Sequence, residues 1–422
     1  MTVLEVPGDK SISHRALILS VLASGTSRIE NLLTGEDCAS TAGVLRALGG
    51  SIPDLHAGML EVRGIGLRGL RSPDQTLDCG NSGTTARLLV GVGAGAGVSA
   101  VFDGDASLRT RPMRRVTDPL AQMGTQFTEL GEPGRLPIQV TGGALREIEY
   151  RTPHASAQIK SALLLAGLVG GVHVRVIEAF PSRDHSERML RAVGVRIEET
   201  TDSSGQHTID LEPREVIFPL AMKIPGDLSS AAFLIAAAVL GVSGELTIRG
   251  VGVNPTRTGF LDVVQAMGGN VALENERVEM GEPVADITAA PSSLRGVEIG
   301  GALIPRLIDE LPLLAVMAAR AAGTTTIRDA SELRVKESDR LRALAMNLES
   351  LGVRVTETAD GLSVEGTANQ LRGTVQTLLD HRIAMAFGVL AQERGNQILL
   401  DDPDVVRISF PQFWSVLQQA RA

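Results

Sequence analysis

Only two cysteines, Cys38 and Cys79, occur in 422 residues. Two thiols make neither a disulfide framework nor a Cys₄ zinc site, and the expected setting is a reducing cytoplasm with no metal. Aromatic residues are 3% of the chain, with one Trp and one Tyr. That excludes a stacking platform for single-stranded nucleic acid and an aromatic membrane belt. Positive charge is not in excess: the net charge is −9. No broad basic face for a duplex is expected, so any anionic ligand needs local clusters of Lys and Arg. Long apolar runs are missing as well. The stretches around 88–102, which is Gly-rich, and 231–242 fall short of the ~20 residues that span a bilayer. Residues 1–10 (MTVLEVPGDK) lack the basic and apolar regions of a signal peptide. The expectation is a cytoplasmic protein with no nucleic-acid or membrane partner.

What is present is an ordinary globular composition, 43% apolar and 21% charged. It is enough for a large core without covalent staples. The length suggests two to three domains at about 150 residues each. An apolar-x-x-apolar-Gly pattern recurs at Leu45–Gly49, Leu120–Gly124, Leu190–Gly194, Val264–Gly268 and Leu348–Gly352, with Gly spacings of 75, 70, 74 and 84. Each reads as the end of an amphipathic helix with a Gly at φ > 0, followed by two strand-like runs around a polar turn. Ala359-Asp360-Gly361 is one such turn. One unit of this kind is common in α/β proteins; five at near-equal spacing indicate a repeat. A chain of this length holds six units. The sixth would end in the helix Phe413–Ala422 with no hairpin, and the run Thr2–Val6 would close it, making the first residues partners of the last. The best boundary between halves is Lys223–Gly226, with a new helix starting at Asp227.

Seven motifs stand out, and six of them sit at loop-to-helix junctions, three per half. Pro7-Gly8-Asp9-Lys10-Ser11-Ile12-Ser13-His14-Arg15 joins a Gly turn, a Lys and free backbone N–H groups into an anion site, or else makes a capped helix with solvated cations. It is not a Walker A loop. Gly80-Asn81-Ser82-Gly83 opens a helix with close backbone access. Arg109, Arg111, Arg114 and Arg115 lie within seven residues, suited to gripping carboxylate or phosphate, or forming a solvated loop. Ser156-Ala157-Gln158 starts another helix, where Ser156 caps or binds. Asp309-Glu310 precedes an apolar helix, as dipole complements or as a general base. Lys336 and Arg340 are spaced i,i+4, predicting one helical face with Glu337 beside them, a pairing that is repulsive unless an anion lies between. Asp380-His381-Arg382 opens the last long helix, with His381 more in keeping with a structural role. Cations gathered at junctions in an acidic chain fit two halves closing on a small polyanionic substrate.

These residues together resemble the EPSP synthases, the 3-phosphoshikimate 1-carboxyvinyltransferases. The likeness runs from Pro7 to about Pro411 and is carried by PGDKSISHR (7–15), GNSGTTARL (80–88), RTRPM (109–113), SAQIKSALLLAGL (156–168), LRVKESDR (333–340) and DHRIAM (380–385). The resemblance implies an α/β enolpyruvyl transferase fold, an inside-out α/β barrel-like arrangement of six βαβαββ units, three per domain. The domains would be 9–225, the shikimate 3-phosphate side, and 1–8 plus 226–422, with a closing strand from the N-terminus. They would be joined by two crossovers and close as a clamp. It implies transfer of the enolpyruvyl group of phosphoenolpyruvate to the 5-hydroxyl of shikimate 3-phosphate by addition and elimination, in the shikimate pathway to chorismate and the aromatic amino acids. No cofactor is implied, and a monomer is expected.

Carried over by position, Lys10, Ser11, Arg15, Ser156, Gln158, Ser182, Asp309 and Lys336 would bind shikimate 3-phosphate. Lys10, Asn81, Gly83, Arg111, Gln158, Arg340 and Arg382 would bind phosphoenolpyruvate. Asp309 would take the hydroxyl proton, and Glu337 with Lys10 would handle the proton at the methylene carbon. Two departures stand out. Ala157 lacks the hydroxyl of the Ser-Ser-Gln form, and Arg407 lies one position out of register with a Lys that many relatives carry. Gly83 matches the glyphosate-sensitive form, in which a methyl group would crowd the phosphonate. One alternative is a UDP-N-acetylglucosamine enolpyruvyl transferase, but Lys10-Ser11 replaces that enzyme's Lys-Asn pair and residues 103–115 hold no Cys. The other is a non-catalytic phosphate-ligand binding protein, against which stand Asp309 and Glu337.

Overall fold

The computed structural model describes residues 2–56, 58–153 and 156–421. The chain forms two compact units. The N-terminal unit comprises residues 10–224 with 279–282; the C-terminal unit comprises 1–9, 225–278 and 283–422.

The five repeat glycines take positive φ: 103° at Gly49, 113° at Gly124, 90° at Gly194, 95° at Gly268 and 85° at Gly352. Each ends its helix in a conformation that a Cβ resists, which turns the chain into the following strand. The hairpin follows in four cases: Gln126–Glu129 with Ile138–Thr141, Arg196–Thr201 with His207–Glu212, Asn270–Glu279 with Glu282–Ala290, and Arg354–Glu357 with Leu362–Glu365. After Gly49 the expected first strand shrinks to a single bridge, Ser51 to Arg63. Pro53 follows at once, and a residue without an N–H does not extend a ladder.

Each repeat owns one sheet. In the N-terminal unit, Ile148–Arg151, Val174–Glu178, His207–Glu212 and Arg196–Thr201 lie side by side, the first pair parallel and the rest antiparallel. Leu77–Asp78, Ser99–Asp103, Ile138–Thr141 and Gln126–Glu129 repeat that order. In the C-terminal unit Glu298–Ile299, Thr324–Ile327, Leu362–Glu365 and Arg354–Glu357 repeat it again. The last repeat keeps only the parallel pair Arg372–Val375 and Gln397–Leu400.

The closing strand differs from expectation. Thr2–Leu4 pairs parallel with Leu246–Gly252, in the fourth repeat, not in the last. Ala221–Lys223 pairs parallel with Thr26–Glu30 and completes the first repeat. The first strands of repeats one and four thus come from the chain segments flanking the other unit. The terminal helix Phe413–Arg421 still packs against Thr2–Leu4, so the chain ends do meet, through helix packing.

Six helices are apolar almost all round and buried: Lys10–Leu22, Gly83–Ala96, Ala157–Gly170, Leu228–Val239, Leu311–Ala318 and His381–Ala391. A helix with no polar face belongs inside a core, and each unit has its own continuous core around three of them. The remaining helices are amphipathic, for example Arg114–Gln122 and His185–Ala192. Two inner helices touch backbone to backbone. A Cβ on Gly91 would lie 2.4 Å from the Ala162 carbonyl oxygen, and one on Gly95 2.6 Å from that of Ala166. Both pairs are 71 residues apart, so the two helices run parallel with their N-termini level. Among the described residues no helix is long and apolar enough to cross a membrane.

Candidate active site

The N-termini of the inner helices carry the polar groups. In the N-terminal unit, Lys10 begins its helix with Nζ 3.0 Å from Asp37 Oδ2. Arg15, one turn on, is buried and donates from Nη1 to the Ser11 carbonyl (2.9 Å), from Nε to Ser186 Oγ (2.7 Å) and from Nη2 to Ser161 Oγ (2.7 Å). Ser82 caps the next helix by accepting from Thr85 N at 3.1 Å. Asn81 accepts from Arg111 Nη2 (2.5 Å) and donates to Asp105 Oδ2 (2.6 Å). Gly83 faces both guanidinium groups: a Cβ there would sit 3.0 Å from Arg87 Nη1 and 3.4 Å from Arg111 Nη1.

Sequence reasoning does not single out Arg87. It donates from Nη1 to Gln158 Oε1 at 2.6 Å, while Gln158 Nε2 donates to Thr84 Oγ1 at 3.1 Å. Arg87 and Gln158 are again 71 residues apart, in the register of the Gly91 and Gly95 contacts. The available signal is its place one turn after Gly83. Ser156 is the N-cap of the next helix yet makes no side-chain capping bond. Ser182 donates from Oγ to Glu178 Oε1 at 2.6 Å.

The four-arginine loop does not act as one cluster. Arg109 is exposed on Asp103 and Arg114 on Glu129. Arg111 is buried and reaches Asn81.

In the C-terminal unit, Asp309 and Glu310 precede the helix Leu311–Ala318. Asp309 Oδ1 lies 3.5 Å from Lys336 Nζ and 3.8 Å from Arg340 Nη1. Arg382 donates from Nη1 to the Asp309 carbonyl at 2.9 Å. Arg340, 1% exposed, donates from Nη2 to Glu337 Oε2 (2.7 Å) and from Nε to Asp380 Oδ2 (2.8 Å). Burial opposes the charge on Asp380, yet the Arg340 guanidinium holds its carboxyl below the usual range. The helical face expected for Lys336 and Arg340 is not there. Ser331–Val335 is a 3₁₀ turn, Lys336 is extended (φ −84°, ψ −155°), and the α-helix starts only at Arg340, capped by Asp339 accepting from Arg342 N. The two cations converge through the loop, and the anion between them is Asp309.

A second buried cluster lies beside this one. Arg257 is 3.3 Å from Asp9 Oδ2 and 3.5 Å from Asp227 Oδ1, and donates to Ser229 Oγ at 2.7 Å. Ser229 donates to Glu310, which lies 3.8 Å from Arg382 Nη1. Burial, with Asp9 close by, pushes Asp227 up to about 6 against the pull of Arg257 and Arg382. Arg407 is exposed and pairs with Asp404. Among the described residues no group of three or more His, Cys, Asp or Glu side chains is placed to hold a metal ion.

The arrangement suits acid–base chemistry on an anionic substrate: in one unit a carboxylate between two cations, in the other a set of Lys and Arg donors at helix starts. The model of the family "EPSP synthase (3-phosphoshikimate 1-carboxyvinyltransferase)" matches residues 2–417. The chain is 49% identical to the 3-phosphoshikimate 1-carboxyvinyltransferase of Thermosynechococcus vestitus over 99% of this chain and 94% of that protein. It is 45% identical to the enzyme of Desulforamulus reducens over 99% and 96%. A solved EPSP synthase from Acinetobacter baumannii superposes with a TM-score of 0.87 at 39% identity, covering 99% of this chain and 95% of that one. The enolpyruvyl transferase NikO from Streptomyces tendae, at 20% identity and a TM-score of 0.76 over 100% and 94%, shares the fold. The chain belongs to the EPSP synthase family.

Proposed function

We propose that Asp309, Glu337 and Lys10 carry the family's reaction in this chain, the transfer of the enolpyruvyl group of phosphoenolpyruvate to the 5-hydroxyl of shikimate 3-phosphate. In the addition step the hydroxyl oxygen bonds to the enol carbon, its proton passes to Asp309, and the methylene carbon takes a proton from Glu337 with Lys10. In the elimination step the bond from carbon to the phosphate oxygen breaks, inorganic phosphate leaves with the proton that Asp309 had taken, and a methyl proton returns to Glu337 with Lys10 as the double bond re-forms. Lys10, Ser11, Arg15, Ser156, Gln158, Ser182 and Lys336 bind shikimate 3-phosphate. Asn81, Gly83, Arg111, Arg340 and Arg382, with Lys10 and Gln158, bind phosphoenolpyruvate.

The observation that carries this reading is Asp309 Oδ1 between Lys336 Nζ and Arg340 Nη1. A carboxylate in this position can take the hydroxyl proton, and the two cations beside it can receive anionic substrate groups. The Arg382 bond to the Asp309 main chain fixes that residue without occupying its carboxylate. The two alternatives lack an observation of this kind in their favour.

We further read the protein as a cytoplasmic monomer with the domains near the contact-defined units. Both thiols are buried and outside any disulfide, and burial, aided by Asp78 and Asp103, pushes that of Cys79 up, away from a reactive thiolate. The test is phosphate release by the monomeric fraction from size exclusion, with a chelator present. Release that requires both substrates is expected. Asp309→Asn is expected to lower it about 10²–10⁴-fold while still binding shikimate 3-phosphate. Undiminished turnover in Asp309→Asn removes it as the base.

A further inference from the structure

Lys160, Glu178 and Glu187 are wholly buried, with side-chain exposures of 0%. Lys160 sits in the first turn of the helix Ala157–Gly170, two residues after Gln158. Its Nζ lies 2.9 Å from Glu178 Oε2 and 2.6 Å from Glu187 Oε1. A lysine in an otherwise apolar buried helix carries a large desolvation penalty, and apolar side chains of similar volume commonly give equal or greater stability. Fold stability alone is therefore a poor reason for this triad.

Its neighbours suggest a better one. Glu178 ends its strand and gives both oxygens to Ser182: Oε1 accepts from the hydroxyl at 2.6 Å and Oε2 from the backbone N–H at 3.2 Å. Lys160 Nζ also reaches the Ser182 carbonyl at 3.4 Å. Glu187 adjoins Ser186, and Lys160 adjoins Ser161. These two hydroxyls lie 2.6 Å apart and both accept from Arg15. The triad thus stands directly behind Ser182 on one side and Arg15 on the other, two of the groups assigned above to shikimate 3-phosphate.

We infer that Lys160, Glu178 and Glu187 are positioning residues for shikimate 3-phosphate, locking Ser182 and the serine pair that orients Arg15. The inference rests on the proposed function. Charge within the triad agrees with it. Burial opposes the ammonium of Lys160, but Glu187 and Glu178 outweigh it and hold its pKa high. Burial raises the pKa of Glu187 against the pull of Lys160.

The experiment compares the wild type with the double variant Lys160→Met and Glu178→Leu. Calorimetry with shikimate 3-phosphate alone comes first. Failure of the wild type to bind it overturns the functional reading, and this inference with it. With binding present, the double variant is expected to keep its kcat but raise KM for shikimate 3-phosphate about tenfold or more, as loss of a charged hydrogen-bond anchor does. KM for phosphoenolpyruvate should stay within about twofold. An unchanged KM for shikimate 3-phosphate, or equal shifts in both KM values, overturns the inference and leaves the functional reading standing. Should the double variant not fold, Glu178→Gln decides by the same split, and its absence overturns the inference.

Discussion

At the scale of single residues, Gly83 is the sharpest case. It opens its helix and is not among the glycines with positive φ. A Cβ there meets only the mobile ends of Arg87 and Arg111, at 3.0 and 3.4 Å. Gly83→Ala should therefore fold with wild-type stability or better, because Ala is the better helix former by about 1 kcal/mol. The displaced guanidinium groups would grip phosphoenolpyruvate less well. The expected outcome is a several-fold higher KM for phosphoenolpyruvate and a larger loss of the inhibition by glyphosate, competitive with phosphoenolpyruvate, that is expected of the wild type. Kinetics with phosphoenolpyruvate limiting check this; equal glyphosate inhibition in the variant and the wild type sinks it. The positions of Lys10, Asn81, Asp309 and Arg382 at helix starts are legible because Gly, Ser and Asp mark such starts locally. Arg87, Lys160 and Arg257 are not. Their partners are 71, 18 and 248 residues away, and a side chain's distant partner leaves no local trace.

At the scale of elements, turn chemistry is readable and inter-element register is not. The five glycines mark five helix ends, and Asp227 caps its helix as placed. Spacing alone misplaces Lys336 and Arg340. Ser338-Asp339 just before Arg340 is itself an N-cap signal, which puts the helix start after Lys336. The contact between Gly83–Ala96 and Ala157–Gly170 is hidden in the Gly-rich composition of 88–102. It sets which residue of one helix meets which of the other, Arg87 with Gln158 included. Gly91→Ala would force a methyl group to within 2.4 Å of a carbonyl oxygen, so the helices must separate. The expected loss is about 1–3 kcal/mol of stability, as for overpacking in general. Chemical denaturation of wild type and variant checks it. An unchanged midpoint would mean that the two helices are not held at this distance.

At the scale of the molecule, six repeats, two lobes and a closing strand from the N-terminus are readable from sequence, but the repeat that this strand joins, and the return of Ala221–Lys223 to the first repeat, cannot be foreseen. Thr2–Leu4 and Ala221–Lys223 are short parallel partners of strands about 200 residues away, and no local pattern encodes such pairing. Apart from the short excursion at 279–282, the chain passes from one unit to the other at Asp9–Lys10 and at Ile224–Pro225. Both passages are anchored in the C-terminal unit by one guanidinium: Arg257 pairs with Asp9 and Asp227, while Asp9 N donates to the Pro225 carbonyl and Asp227 N to that of Pro7. This buried tie makes stability depend on pH in a direction that can be worked out. Asp227 titrates at about 6 in the folded chain, against the 3.8 of an ordinary aspartate. The folded state therefore holds a proton between those values that the unfolded state has released. The stability this contributes is fully present below pH 4 and is lost as pH rises through 6. The separation between 3.8 and about 6 is worth about 3 kcal/mol at most. Asp227→Asn keeps a capping oxygen for Ser229 N and removes the titration. Relative to wild type, the variant should gain stability steadily from about pH 4 to about pH 7 and level off above. Denaturation series at matched ionic strength measure that difference directly. A flat difference across this range would mean that Arg257 holds Asp227 ionised throughout, and that the proton resides elsewhere in the tie.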